Sequence, residues 1–158
     1  MAPTSLRHPS HRFLATTVAP THFGHYVVAV RYLSLDWIDA VATAARASAD
    51  VSAAAARTEI VVTQVVTETP EGIVVYSLQV TDGVLDFRAG ASYPEDVRFE
   101  QTWETAVGVA TGAVNAQEAF IQGQILLTGD QQKLMDNPAI FGAMSAVFET
   151  VRERTEYI

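Results

Sequence analysis

The sequence predicts an α+β fold, with helices covering the apolar face of a largely antiparallel sheet. Three observations carry that prediction. Between Glu59 and Trp103, four segments alternate apolar and polar residues with a period of two, the pattern of strands with one wet face and one apolar face. An alanine-rich stretch precedes them, and segments with helical spacing follow. An apolar sheet face needs a cover, and those helices supply it.

The elements follow in order. Ser34 is a good N-cap and Asp36 suits the positive end of a helix dipole, so a helix starts there. Trp37, Ile38, Val41, Ala42 and Ala45 share one of its faces. The run from Ala40 to Ala56 fits one helix, or two with a break near Asp50-Val51-Ser52. The first strand spans about Glu59 to Thr67, with Ile60, Val62 and Val66 on one side. After a Pro70-Glu71-Gly72 turn, the second puts Val74, Tyr76, Leu78 and Val80 on one face. Asp82-Gly83 is a two-residue hairpin signal. It leads into a third strand, Val84 to Ala89, in which Leu85, Phe87 and Ala89 alternate with Asp86 and Arg88. The fourth sets Val97, Phe99 and Trp103 against Arg98, Glu100 and Thr102.

Thr102 or Trp103 begins a short helix carrying Ala106, Val107 and Ala110, and Gly112 stops it. Asn115 caps another, with Glu118 placed as its capping-box partner. One short strand, Gln124 to Thr128, precedes the last helix. Asn137 caps that helix and Pro138 suits its first turn. Ile140, Phe141, Met144, Val147, Phe148 and Val151 repeat along it at helical spacing, while Glu149, Arg152, Glu153 and Glu156 face the other way. No repeat or linker divides Ser34 to Arg154, so residues 34–158 read as one domain and residues 1–33 as a leading extension. The end of that extension, Tyr-Val-Val-Ala-Val-Arg-Tyr-Leu, fits either an edge strand or an extended arm.

Composition excludes several function classes. A chain of 158 residues, 49% hydrophobic and 18% charged, buries a single core and is not disordered. No apolar run is long enough to cross a bilayer. The absence of cysteine removes disulfide scaffolds, thiol catalysis and cysteine-based zinc sites. The net charge of −8 divides into +3 before Asp36 and −11 from Asp36 onward. An acidic body argues against nucleic acid as a partner, which would call for a basic face. Arg7, Arg12 and Arg31 together are worth roughly 3 kcal/mol at an anionic membrane, at about 1 kcal/mol each. That suffices for a transient membrane contact and not for an anchor. The acid-free start also bears a loose likeness to an organelle transit peptide, whereas Thr16 and Thr17 interrupt the apolar stretch that a secretory signal requires.

No constellation for catalysis emerges. His8/His11 and His22/His25 have a helical metal-ligand spacing, but Pro9 and Gly24 break helix inside each pair and no carboxylate lies nearby. They read as surface histidines. The body has no histidine to activate a serine or threonine, and no nucleophile elbow. Gly108-Val109-Ala110-Thr111-Gly112 lacks the lysine of a phosphate loop. The carboxylate pairs Glu68/Glu71 and Glu149/Glu153 read as solvated charges. Neither a metal nor a cofactor is expected. What remains is apolar: Phe99, Trp103, Val107, Phe120, Ile121, Leu134, Met135, Phe141, Met144 and Phe148. These are either ordinary core or the wall of a hollow, and flexible methionines suit an adaptable wall.

The run from Asn115 to Asp130, Asn-Ala-Gln-Glu-Ala-Phe-Ile-Gln-Gly-Gln-Ile-Leu-Leu-Thr-Gly-Asp, resembles the signature of the sterol carrier protein family. Ala119, Phe120, Gly123, Gly129 and Asp130 are the matching positions. Tyr-Leu-Ser-Leu-Asp-Trp-Ile-Asp-Ala-Val, from Tyr32 on, resembles the start of many bacterial members, and the likeness extends to about Arg154. It implies a twisted five-stranded sheet covered on one face by helices around a lipid-filled tunnel. It also implies that Phe120 and Ile121 line the tunnel, with Phe141, Met144 and Phe148 of the last helix as its lid. The expectation is a cytoplasmic, non-enzymatic carrier of an apolar small molecule or lipid, monomeric or a homodimer. The alternative is a structural or dimerising domain whose cavity is filled.

Overall fold

The computed structural model describes residues 28–158. The expected roles of His8, His11, His22, His25, Arg7 and Arg12 therefore lie outside the described residues. The chain runs β1 (Val30–Arg31), α1 (Leu35–Ala47), α2 (Ala49–Ala55), β2 (Ile60–Thr69), β3 (Gly72–Thr81), β4 (Val84–Ala89) and β5 (Val97–Thr102). It continues with α3 (Trp103–Ala110), α4 (Ala116–Ile121), β6 (Ile125–Gly129), α5 (Gln131–Met135), α6 (Pro138–Arg152) and β7 (Thr155–Glu156). Five strands form the main sheet in the order β4-β3-β2-β5-β6. All neighbours are antiparallel except β2 and β5, which run parallel. Among the described residues no helix is long and apolar enough to cross a membrane.

Local chemistry accounts for most boundaries. Ser34 Oγ accepts the Trp37 amide at 3.1 Å, fixing the start of α1. Trp37, Ile38, Val41, Ala42 and Ala45 are buried, as their helical spacing implies. The alanine-rich stretch does divide, but at Ser48 rather than at Asp50-Val51-Ser52. Ser48 ends one helix by donating its amide to Ala45 O and starts the next by accepting from Val51 N at 3.2 Å. A single serine that caps both helices turns the chain without a loop. Asp82 and Gly83 take left-handed φ values of 51° and 77°, as a tight hairpin between twisted strands demands.

The sheet's inner face is read directly from its register. Ile60, Val62, Gln64 and Val66 of β2 stand opposite Val80, Leu78, Tyr76 and Val74 of β3. On the other side Val62, Gln64 and Val66 pair with Val97, Phe99 and Gln101 of β5. Helices α1 and α2 pack over the β4 end and α6 packs against both, α3 lies over β2 and β5, and α4 sits beside β6. The outer face is drier than strict alternation suggests, because residues 90–96 cross it between β4 and β5. There Ser77 meets Ser92 at 2.9 Å, Arg88 donates to the same Ser92 hydroxyl, and Glu95 pairs with Arg98.

Two segments depart from the sequence-based expectation. Val30, Tyr32 and Leu33, assigned to the leading extension, are buried core residues. β1 is neither an edge of the main sheet nor a free arm. It pairs in parallel with β7, so both ends of the described chain lie together, with Val30 N donating to Arg154 O and Tyr32 N to Glu156 O. Asn137 is the N-cap residue of α6, but its side chain accepts no helix amide: its Nδ2 donates to Lys133 O at 2.7 Å, at the end of α5.

The Gly129-Asp130 pair closes the edge of the sheet. Gly129 has φ +101°, and a Cβ there would lie 2.2 Å from Asp96 O. Asp130 donates its amide to that same oxygen and caps α5 through Lys133 N. The Asp96 carboxylate in turn accepts Val61 N at 2.8 Å and pairs with Lys133 at 3.0 Å. Gly129→Ala is therefore expected to cost about 2 kcal/mol or more, since both φ and a backbone contact oppose the methyl. A thermal unfolding midpoint unchanged from wild type would refute this. Arg98 holds the Glu95 carboxyl below its ordinary value, first by hydrogen bonding. A depressed carboxylate stabilises the fold at neutral pH, and that contribution disappears as pH falls through its lowered value. Urea-unfolding midpoints of Arg98→Met should accordingly decline less steeply with acid than those of wild type.

Candidate functional site

A cavity of about 380 Å³ lies on the inner face of the sheet, between α3 and α6. That volume is within the roughly 300–1,000 Å³ typical of small-molecule sites. Its floor is Gln64, Tyr76 and Gln101 from three adjacent strands. α3 contributes Ala106, Val109 and Ala110, and α6 contributes Ser145, Phe148, Glu149 and Arg152. Tyr32 and Tyr157, which flank the β1–β7 pair, close one side. The inner end is buried at Tyr32, Trp37, Tyr76 and Ala106, whereas Ser145, Glu149 and Arg152 stand exposed at the mouth.

Trp37 shapes the inner end. Its ring stacks on Phe148 at 6.1 Å with planes 9° apart, and meets Tyr32, Tyr76 and Phe87 edge-on at 5.0, 5.8 and 5.9 Å. Such aromatic pairs add about 0.5–1.5 kcal/mol each beyond the area they bury. Phe148 touches Phe87 at 5.9 Å, so α6 is pinned to the β4 side of the sheet. At the mouth, Arg152 Nη2 donates to Thr111 O at 2.7 Å, which links the last turn of α6 to the end of α3. The polar atoms inside are unevenly satisfied. Gln101 Oε1 is buried without a hydrogen-bond partner among the described residues. Burial raises the Tyr32 and Tyr76 hydroxyls above the usual tyrosine value, and a weaker effect of the same cause raises Tyr157. All three remain protonated and able to donate.

The residues expected to line a hollow fall into three groups. Phe148 lines the cavity, and Trp103 packs beside it against Tyr32 at 5.5 Å. Phe99, Val107, Leu134 and Phe141 are partly buried against the core, and Met144 is buried within it. Phe120, Ile121 and Met135 are exposed, Ile121 at 75%. Phe120 and Ile121 lie on a six-residue helix at the sheet edge whose buried residue is Ala119. Glu149 and Arg152, expected on a wet face, are at the cavity mouth as well as in solvent. Sequence reasoning missed Gln64 and Gln101, although both carry a signal. Each places an amide where the alternation of its strand calls for an apolar side chain.

A five-stranded, mostly antiparallel sheet covered by helices, with a cavity between α3 and α6, defines the α+β class of the protein. The chain belongs to the SCP-2 sterol transfer family, whose model matches residues 40–142. The family and fold support lipid binding or transfer in general. Three solved structures share the fold. One is sterol carrier protein 2 in a crystal structure, at 19% identity and TM-score 0.58, covering 78% of this chain and 98% of that one. A conserved hypothetical protein from Thermus thermophilus aligns at 18% identity and TM-score 0.58, covering 82% and 95%. The apo form of sterol carrier protein 2 from Yarrowia lipolytica aligns at 14% and 0.53, covering 73% and 88%. No curated protein matches the chain.

Trp37→Ala should destabilise the protein by about 3–5 kcal/mol, the usual cost of deleting a buried tryptophan. Chemical denaturation showing a loss below about 1 kcal/mol would contradict the role given to this ring.

Proposed function

We propose that this protein binds an apolar ligand, an acyl chain or sterol-like molecule, in the cavity between the sheet and helices α3 and α6. The observation that carries this reading is the volume that the protein's own side chains leave beside Trp37 and Phe148. Burying a methylene gains about 0.8 kcal/mol, so a sixteen-carbon chain gains roughly 13 kcal/mol relative to water. A membrane offers the same gain. Exchange between bilayer and cavity is then close to neutral, as a carrier requires. The reading is of a carrier and not a catalyst: residues 28–158 contain neither histidine nor cysteine, and the polar groups of the lining have no activated nucleophile among them.

Titration of the delipidated protein with a fluorescent sterol and a fluorescent acyl chain tests the proposal. Saturable binding of at least one, accompanied by a change in Trp37 emission, is expected. Ala110→Trp or Ser145→Trp, which fill the cavity or its mouth, should weaken that binding tenfold or more. Absence of saturable binding to either probe at micromolar protein would defeat the reading, as would undiminished affinity in both filled variants.

A further inference from the structure

Resting on that reading, and adding the chemistry of the head group to it, we propose that the cavity selects an amphiphile with an uncharged polar end. Hydroxyl and primary amide are the groups that fit. The polar end lies inward, against the strip formed by Tyr76, Gln64 and Gln101.

The strip is a built feature of the sheet. Inward positions of β2 read Ile60, Val62, Gln64, Val66, and those of β5 read Val97, Phe99, Gln101. Gln64 stands directly opposite Tyr76 on one side and Phe99 on the other. Gln101 stands opposite Val66 and Ile125, one diagonal step from Gln64. Three adjacent strands thus aim hydrogen-bonding groups at one end of an otherwise apolar layer. An inward-facing amide is costly unless it is hydrogen-bonded, and the Gln101 carbonyl oxygen has no partner among the described residues. For a cavity meant only for hydrocarbon, leucine or methionine at 64 and 101 would be better.

The composition of the strip points to the ligand's chemistry. Amides and phenolic hydroxyls offer both donors and acceptors, which a hydroxyl or a primary amide can match in both senses. A carboxylate offers only acceptors and brings a charge that must be desolvated. The one cation in the lining is Arg152, and it is misplaced for that purpose. It lies exposed at the mouth, donates to Thr111 O, and shares the mouth with the Glu149 carboxylate. The acidic body around it, −11 from Asp36 onward, further opposes an anion.

Isothermal titration of the full chain with 1-dodecanol, dodecanamide and dodecanoate at pH 8 tests the proposal. The alcohol and the amide should bind at least tenfold tighter than the carboxylate. Gln101→Leu and Gln64→Leu should each weaken dodecanol about tenfold, leave dodecanoate unchanged, and keep the wild-type thermal midpoint or raise it. Should one of these variants fail to fold, the other carries the same expectation. Dodecanoate binding as tightly as dodecanol, or a folded leucine variant that retains full affinity for dodecanol, would overturn the head-group assignment while leaving the cavity as the ligand site. Binding of none of the three would overturn both.

Discussion

Trp37 joins the sheet to the last helix at the inner end of the cavity. Its indole sits between the sheet and the last helix, stacked on Phe148 and edge-on to Tyr32, Tyr76 and Phe87. That cluster keeps α6 at a fixed height above the sheet. Further along the same gap the facing residues are small, namely Ala106 and Ala110 from α3 and Ser145 from α6. Protein interiors close-pack wherever the backbone can settle. Here a cluster of rings fills one end, and short side chains line the open space at the other. The paired ends of the described chain seat Tyr32 against Tyr157 at 5.0 Å, on one side of the cavity.

The family signature turns out to serve the frame. Ala119 is its wholly buried contact, Gly129 permits a backbone approach that no side chain would allow, and Asp130 starts the next helix. Around them Asp96 gathers an amide of β2 and the Lys133 ammonium, tying β6 and α5 to the centre of the sheet. A motif of this kind identifies the fold well and says little about the ligand. The exposed Phe120, Ile121, Leu126 and Met135 lie on the same stretch of chain, outside the lining of the cavity.

The two departures from apolar patterning on the inner face give the cavity its individuality. Aromatic and aliphatic walls supply affinity for any hydrocarbon in proportion to the area buried. Directional groups on the sheet side of the cavity are Gln64, Tyr76 and Gln101. The apolar part of the lining thus comes from α3, α6 and Trp37, and its hydrogen-bonding part mainly from the sheet.

Much of the frame was determined by the sequence itself. Alternation located β2 to β5, helical spacing located α1 and α6, and the caps at Ser34, Thr102 and Asn115 set helix starts, because these signals act within one or two turns of chain. The short-range run from Asn115 to Asp130 was enough to identify the family. Three things were left to the tertiary structure. It decided that β1 pairs with β7, a partnership between the two ends of the described chain that no local pattern encodes. It turned the signature's Phe120 and Ile121 outward, because which face of a short helix is covered depends on its neighbours. It also brought Trp37, Tyr76, Gln101 and Phe148 around one space. Volume left between elements is a property of their mutual height and of the residues on both sides, and a linear pattern carries neither.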